Sequence, residues 1–129
     1  EVTARDAAEW ALAQGGLPLI YSSADPGVVR AAQERFGREA VAARVEGFFA
    51  ETARALVAGG VTRLITAGGE TSGAVVEALA PDALEIGPEI AAGVPCLRAG
   101  PDLVLALKSG NFGGPGFFAE AEAMLGRGA

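Results

Sequence analysis

The chain has 129 residues, 50% of them hydrophobic and 20% charged, which fits one globular domain and leaves little room for a second. A net charge of -6, with Lys108 as the only lysine, argues against a nucleic-acid partner, which would need a basic stripe. With no histidine and Cys96 alone, the chain holds no imidazole-based zinc site, no Ser-His or Cys-His nucleophile pair and no internal disulfide.

The predicted elements follow in chain order. Thr3 caps a short helix through Trp10 and Ala11, with Asp6 as its capping-box partner. Gly15 and Gly16 end it. Leu17 to Tyr21 is a compact apolar run and reads as a buried strand. Asp25 and Pro26 open a helix that carries Val28, Val29, Ala32 and Phe36, and Gly37 breaks it. A longer helix covers Arg38 to Ala58, where Val41, Val45, Phe48, Phe49, Thr52 and Leu56 recur at helical spacing. Gly59 and Gly60 stop that helix.

Val61 to Ala67 is the next predicted strand. A glycine-rich turn follows, then a helix from Thr71 to Leu79 that ends before Pro81. Ala83 to Ile86 and Cys96 to Arg98 are short strand candidates around a loop from Gly87 to Pro95. Leu103 to Leu107 is a buried strand. After a second glycine-rich turn, Pro115 opens a last helix through Phe117, Phe118, Ala121 and Leu125. Apolar strands alternating with amphipathic helices predict an α/β fold: a mostly parallel sheet with helices on both faces, in a Rossmann-like layered arrangement. No apolar run reaches the roughly 18 residues of a membrane span. No signal-like segment opens the chain, and it reads as a cytoplasmic piece of something longer.

Two segments carry the chemistry. In Ala67-Gly68-Gly69-Glu70-Thr71-Ser72-Gly73 a strand runs through glycines into a helix. Without Cβ atoms the glycine backbone can approach a ligand closely, and the helix start points its free N–H groups and positive dipole end at the same place. Thr71 and Ser72 add hydroxyls, and Glu70 could hold Mg²⁺ through water or accept from a ribose. A tight turn capped by Thr71 or Ser72 explains the segment equally well. It matches neither the Walker A pattern nor G-x-G-x-x-G. The second segment is Lys108-Ser109-Gly110-Asn111-Phe112-Gly113-Gly114. It also follows a buried strand and precedes a helix, and Lys108 could offer a point charge to a phosphate. Ligands of open α/β sheets sit outside the carboxyl ends of strands, so the two turns could share one crevice.

With Tyr21-Ser22-Ser23, Ile86-Gly87-Pro88-Glu89-Ile90 and Gly93-Val94-Pro95, these segments resemble the C-terminal nucleotide-binding domain of the four-carbon acid sugar kinases, across nearly the whole chain. Cys96 stands where that family often has an aromatic residue. The resemblance implies an ATP-dependent kinase that uses Mg²⁺ and phosphorylates threonate, erythronate or 3-oxo-tetronate at the terminal hydroxyl. It assigns ATP contacts to Gly68, Gly69, Glu70, Thr71 and Gly110. It also implies that residues 1–129 are the nucleotide half alone, without the N-terminal domain that holds the acid sugar. A nucleotide or sugar-phosphate sensor without catalysis is the rival reading, a purely structural domain is a third, and a homo-oligomer stays open.

Overall fold

The computed structural model describes residues 3–21, 26–108 and 115–126. Five helices and four strands occupy these residues: α1 (Ala4–Leu12), α2 (Pro26–Phe36), α3 (Arg38–Ala58), β1 (Arg63–Ala67), α4 (Gly69–Leu79), β2 (Glu85–Ala91), β3 (Val94–Gly100), β4 (Leu103–Lys108) and α5 (Phe117–Gly126). The class is α/β, as expected.

The sheet is mixed rather than mostly parallel. Its order is β1-β4-β3-β2. Only β1 and β4 pair in parallel, while β4-β3 and β3-β2 are antiparallel. Loop length explains the correction. A turn at Ala92 and Gly93 joins β2 to β3, and one at Pro101 and Asp102 joins β3 to β4. Such short links can only reverse the chain, whereas a parallel crossover needs a dozen residues or more. Gly93 takes the reversal at a φ of 81°, a region that favours glycine. The expected loop from Gly87 to Pro95 is therefore mostly a hairpin. Pro88 is tolerated because β2 is an edge strand, and its pairing with β3 carries register shifts on both sides of Glu89.

Leu17–Tyr21, expected as a buried strand, forms no strand. Leu19 and Tyr21 are 54% and 71% exposed. The Asp25 cap proposed for α2 lies outside the described residues. On α2 itself, Val28 and Phe36 of the expected apolar stripe are exposed. The other helices hold closer to expectation. The Thr3–Asp6 capping box is complete, and the Thr3 hydroxyl beside Asp6 holds its carboxyl below the usual carboxylate range. In α3, buried Thr52 donates its hydroxyl to the Phe48 carbonyl at 2.7 Å, which hides a polar group inside an apolar face.

Helices cover both faces of the sheet. On one, Phe117, Ala121 and Leu125 of α5 pack with Val94, Cys96, Val104 and Ala106, and Ile65 packs against this cluster. Burial pushes the Cys96 thiol up from its ordinary value. Successive strand residues face opposite sides, so Thr66 and Leu105 point the other way, where α4 lies. α3 packs along α4, and α1 packs on α3. Arg54 of α3 donates to the Ala78 carbonyl at 3.2 Å, satisfying an acceptor in the last turn of α4. Leu105 is fully buried in the middle of the sheet. Leu105→Ala is expected to cost about 2–5 kcal/mol in urea unfolding, because β4 has neighbours on both edges and both faces and cannot collapse into the space.

Candidate functional site

The geometry starts from the parallel pair. Arg63 to Ala67 lie opposite Val104 to Lys108, so β1 and β4 end level with each other. Both glycine segments leave the sheet from these two adjacent ends, as the single-crevice reading requires. Gly110 and the rest of residues 109–114 lie outside the described residues.

Gly68 makes the turn from β1 into α4. It has φ 102° and ψ 131°, a backbone state that side chains rarely adopt. Its N–H donates to the Lys108 carbonyl at 2.7 Å, and its carbonyl accepts from the Ser72 N–H at 2.9 Å. The Gly68 N–H is thereby used inside the fold. What this residue offers a ligand is a surface without a Cβ.

α4 begins two residues earlier than predicted, at Gly69, and Gly68 is its N-cap. The capping reading of Thr71 or Ser72 is not what forms, since no side chain caps the helix. The N–H groups of Gly69, Glu70 and Thr71 therefore open the helix with no intrahelical acceptor, at its positive dipole end. Among the described residues, nothing lies within 4 Å of a Cβ added at Gly69. The arrangement leaves three backbone donors, without a side-chain cap, at the carboxyl edge of the sheet.

Ser72 plays a different part from the one expected. Its hydroxyl lies 2.7 Å from that of Thr66, and both residues are buried. The pair ties the end of β1 to the first turn of α4 and sets the helix start against the strand end. Sequence reasoning missed Thr66 here. Its signal was a polar residue closing an apolar strand, six positions before a serine.

Glu70 is exposed and lines an open groove between α3 and α4 with Ala43, Glu46, Gly73, Ala74 and Glu77. This groove is acidic, so it repels phosphate, while the helix start beside it attracts phosphate. Among the described residues no group of three His, Cys, Asp or Glu could hold a metal ion. The Ile86–Ile90 and Gly93–Pro95 segments sit in the β2-β3 hairpin, separated from β1 by β4. Cys96 pairs with Ala106 in antiparallel register, so the turn at Ala92 and Gly93 leaves the sheet at the same edge as the end of β4, one strand further from β1.

A family model described as the nucleotide-binding C-terminal domain matches residues 1–118. A 3-oxo-tetronate kinase from Brucella melitensis is 55% identical over 119 residues, which cover 89% of this chain and 27% of the relative. One from Cupriavidus necator is 50% identical over 129 residues, covering 98% of this chain and 30% of the relative. The chain belongs to the four-carbon acid sugar kinase family, as its nucleotide-binding C-terminal domain. Its fold agrees with solved structures of family size. Proteins from Salmonella typhimurium LT2 and Haemophilus influenzae superpose with TM-scores of 0.83 and 0.82, each at 40% identity over 94% of this chain and 30% of theirs. The chain spans less than a third of the length of these relatives.

The Thr66–Ser72 pair gives a direct test of how the helix start is held. Thr66→Val or Ser72→Ala alone leaves one buried hydroxyl without its partner and should cost about 1–3 kcal/mol. The double variant should cost clearly less than the sum in urea unfolding, because both polar groups are then gone. Additive losses would mean that the two hydroxyls do not depend on each other.

Proposed function

We propose that this chain is the ATP-binding half of a kinase that phosphorylates four-carbon acid sugars at the terminal hydroxyl, with threonate, erythronate and 3-oxo-tetronate as the substrate class. One observation carries the reading. Parallel pairing sets Ala67 opposite Lys108 at the uncapped start of α4, so both family glycine segments leave one edge of the sheet together. The names of the relatives in Brucella melitensis and Cupriavidus necator supply the acceptor class.

On this reading the phosphates of ATP meet the N–H groups of Gly69, Glu70 and Thr71. Gly68 lets them come close, and Gly110 contacts them from the second segment. Mg²⁺ suits the donor set in a limited way. It is commonly held by one or two carboxylates plus substrate phosphates, and Glu70 is the carboxylate on this turn. When bound, the ion neutralises charge between the phosphates. Phosphoryl transfer then needs position more than covalent chemistry, and the backbone donors of α4 supply a fixed, oriented field. The acid sugar and the base for its hydroxyl belong to the remaining two thirds of a family-length protein, which closes over the nucleotide. The working location is the cytoplasm.

Calorimetry with ATP, ADP and a sugar phosphate tests the assignment. ATP and ADP should bind and the sugar phosphate should not; a preference for the sugar phosphate would favour a sensor. Gly69→Val should abolish ATP binding and leave the thermal midpoint nearly unchanged, because the new side chain enters open space where the phosphates would lie. Residues 1–129 alone should turn over threonate negligibly. Kinase-like rates from this chain by itself would refute the two-part design.

A further inference from the structure

One face of the sheet is covered only in part. Residues opposite each other in a ladder share a face, and successive residues alternate. Thr66, Leu105 and Leu107 therefore point toward α4, and so does Leu97, which pairs with Leu105. Ile86 pairs with Leu97 and joins the same face. Pro95, two residues before Leu97, lies on it too. On this face α4 covers β1 and β4, while α1, α2 and α3 pack on other helices and α5 takes the opposite side. Among the described elements, β3 and β2 have no helical layer here. Pro95, Leu97 and Leu107 stay half-buried, and Ile86 is 75% exposed. The result is an apolar shelf beside α4.

The shelf begins at the edge where α4 starts. β3 runs antiparallel to β4, so its first residues lie at the end of β4. Cys96 pairs with Ala106, and one step further out Pro95 comes beside Leu107, which lies opposite Thr66. Thr66, Leu107 and Pro95 thus form the last row before the edge, and the Ser72 hydroxyl of α4 is bonded to the first of them. Strands lie about 4.8 Å apart, so Pro95 stands about 10 Å from the strand that runs into Gly68. A nucleotide held by its outer phosphates carries its base at a distance of that order. A base is flat, and its faces gain by burial against apolar side chains. The other flank of α4, toward α3, is the groove lined by Glu46, Glu70 and Glu77, whose carboxylates repel the phosphates that adjoin the base.

We propose that the nucleobase lies on this shelf, one face against Pro95 and Leu107 at its outer end, with Leu97 further in. The proposal rests on the placement of the phosphates at the start of α4. The backbone of α4 then holds one end of the ligand, and the shelf holds the other. The β2-β3 hairpin thereby becomes a wall of the nucleotide site.

Calorimetry with ATP and with inorganic tripolyphosphate, which has no base, separates the two ends. Pro95→Ser and Leu107→Ser should each weaken ATP about fivefold, the loss expected when one or two methylenes leave a contact, and should not change tripolyphosphate. Nuclear Overhauser contacts from the adenine ring protons to the Pro95 ring and the Leu107 methyls should appear in the unsubstituted protein, a readout that does not depend on how the variants fold. Equal weakening of both ligands, or no weakening of ATP, would overturn the proposal. So would equal affinity of the unsubstituted protein for the two ligands, a result that leaves the phosphate placement standing. An unsubstituted protein that binds neither ligand would sink that placement, and the shelf with it.

Discussion

The hydrogen bond from the Gly68 N–H to the Lys108 carbonyl is the contact on which the rest of the structure turns. It extends the β1-β4 ladder by one rung past the end of β1. That rung forces the chain to leave the sheet at a positive φ, which only glycine adopts easily. The turn then starts α4 beside the end of β4. Every later feature of the candidate site follows from that direction. The Thr66 and Ser72 hydroxyls secure the same corner from below, on the face that α4 covers.

Polarity divides the surface around this corner sharply. The chain is acidic overall, and Glu46, Glu70 and Glu77 line the groove beside the helix start. A long-range field of this sign does not steer phosphates inward. Attraction has to come from backbone dipoles over a few ångströms, which favours a ligand that arrives with its own cation. The carboxylates of that groove repel other anions, so the negative charge and the backbone donors lie side by side on one corner.

Much of this was legible in the sequence, and the failures have physical causes. The strand-glycine-helix pattern at Leu64 to Gly73 and the strand at Leu103 are strong local signals, and both formed. The Thr3–Asp6 box formed because capping is decided by residues three apart. The direction of the middle strands was misread because Gly87, Pro88, Gly93 and Pro95 look like loop breakers. The edge strand β2 tolerates Gly87 and Pro88, Gly93 makes the turn, and Pro95 precedes the stretch of β3 that pairs with β4; edge position is a property of the whole sheet. Leu17–Tyr21 has the composition of a buried strand, but burial needs a partner surface that no local pattern can specify. The Ser72 hydroxyl looked like a ligand donor because its true partner, Thr66, lies across a turn. For the second glycine segment, only its entry from Lys108 is described, and that entry is where the sequence placed it.

Cys96 has a consequence of its own. The chain's only thiol is wholly enclosed where β3, β4 and α5 meet, on the face away from the corner at Gly68. A reagent can reach it only after α5 lifts from the sheet. The rate of its chemical labelling is therefore a clock for that parting, and it runs without any added probe. A ligand that locks the corner on the opposite face would slow this clock only if the two helical layers open together. The native cysteine thus reports whether the domain yields as one unit or as two leaves.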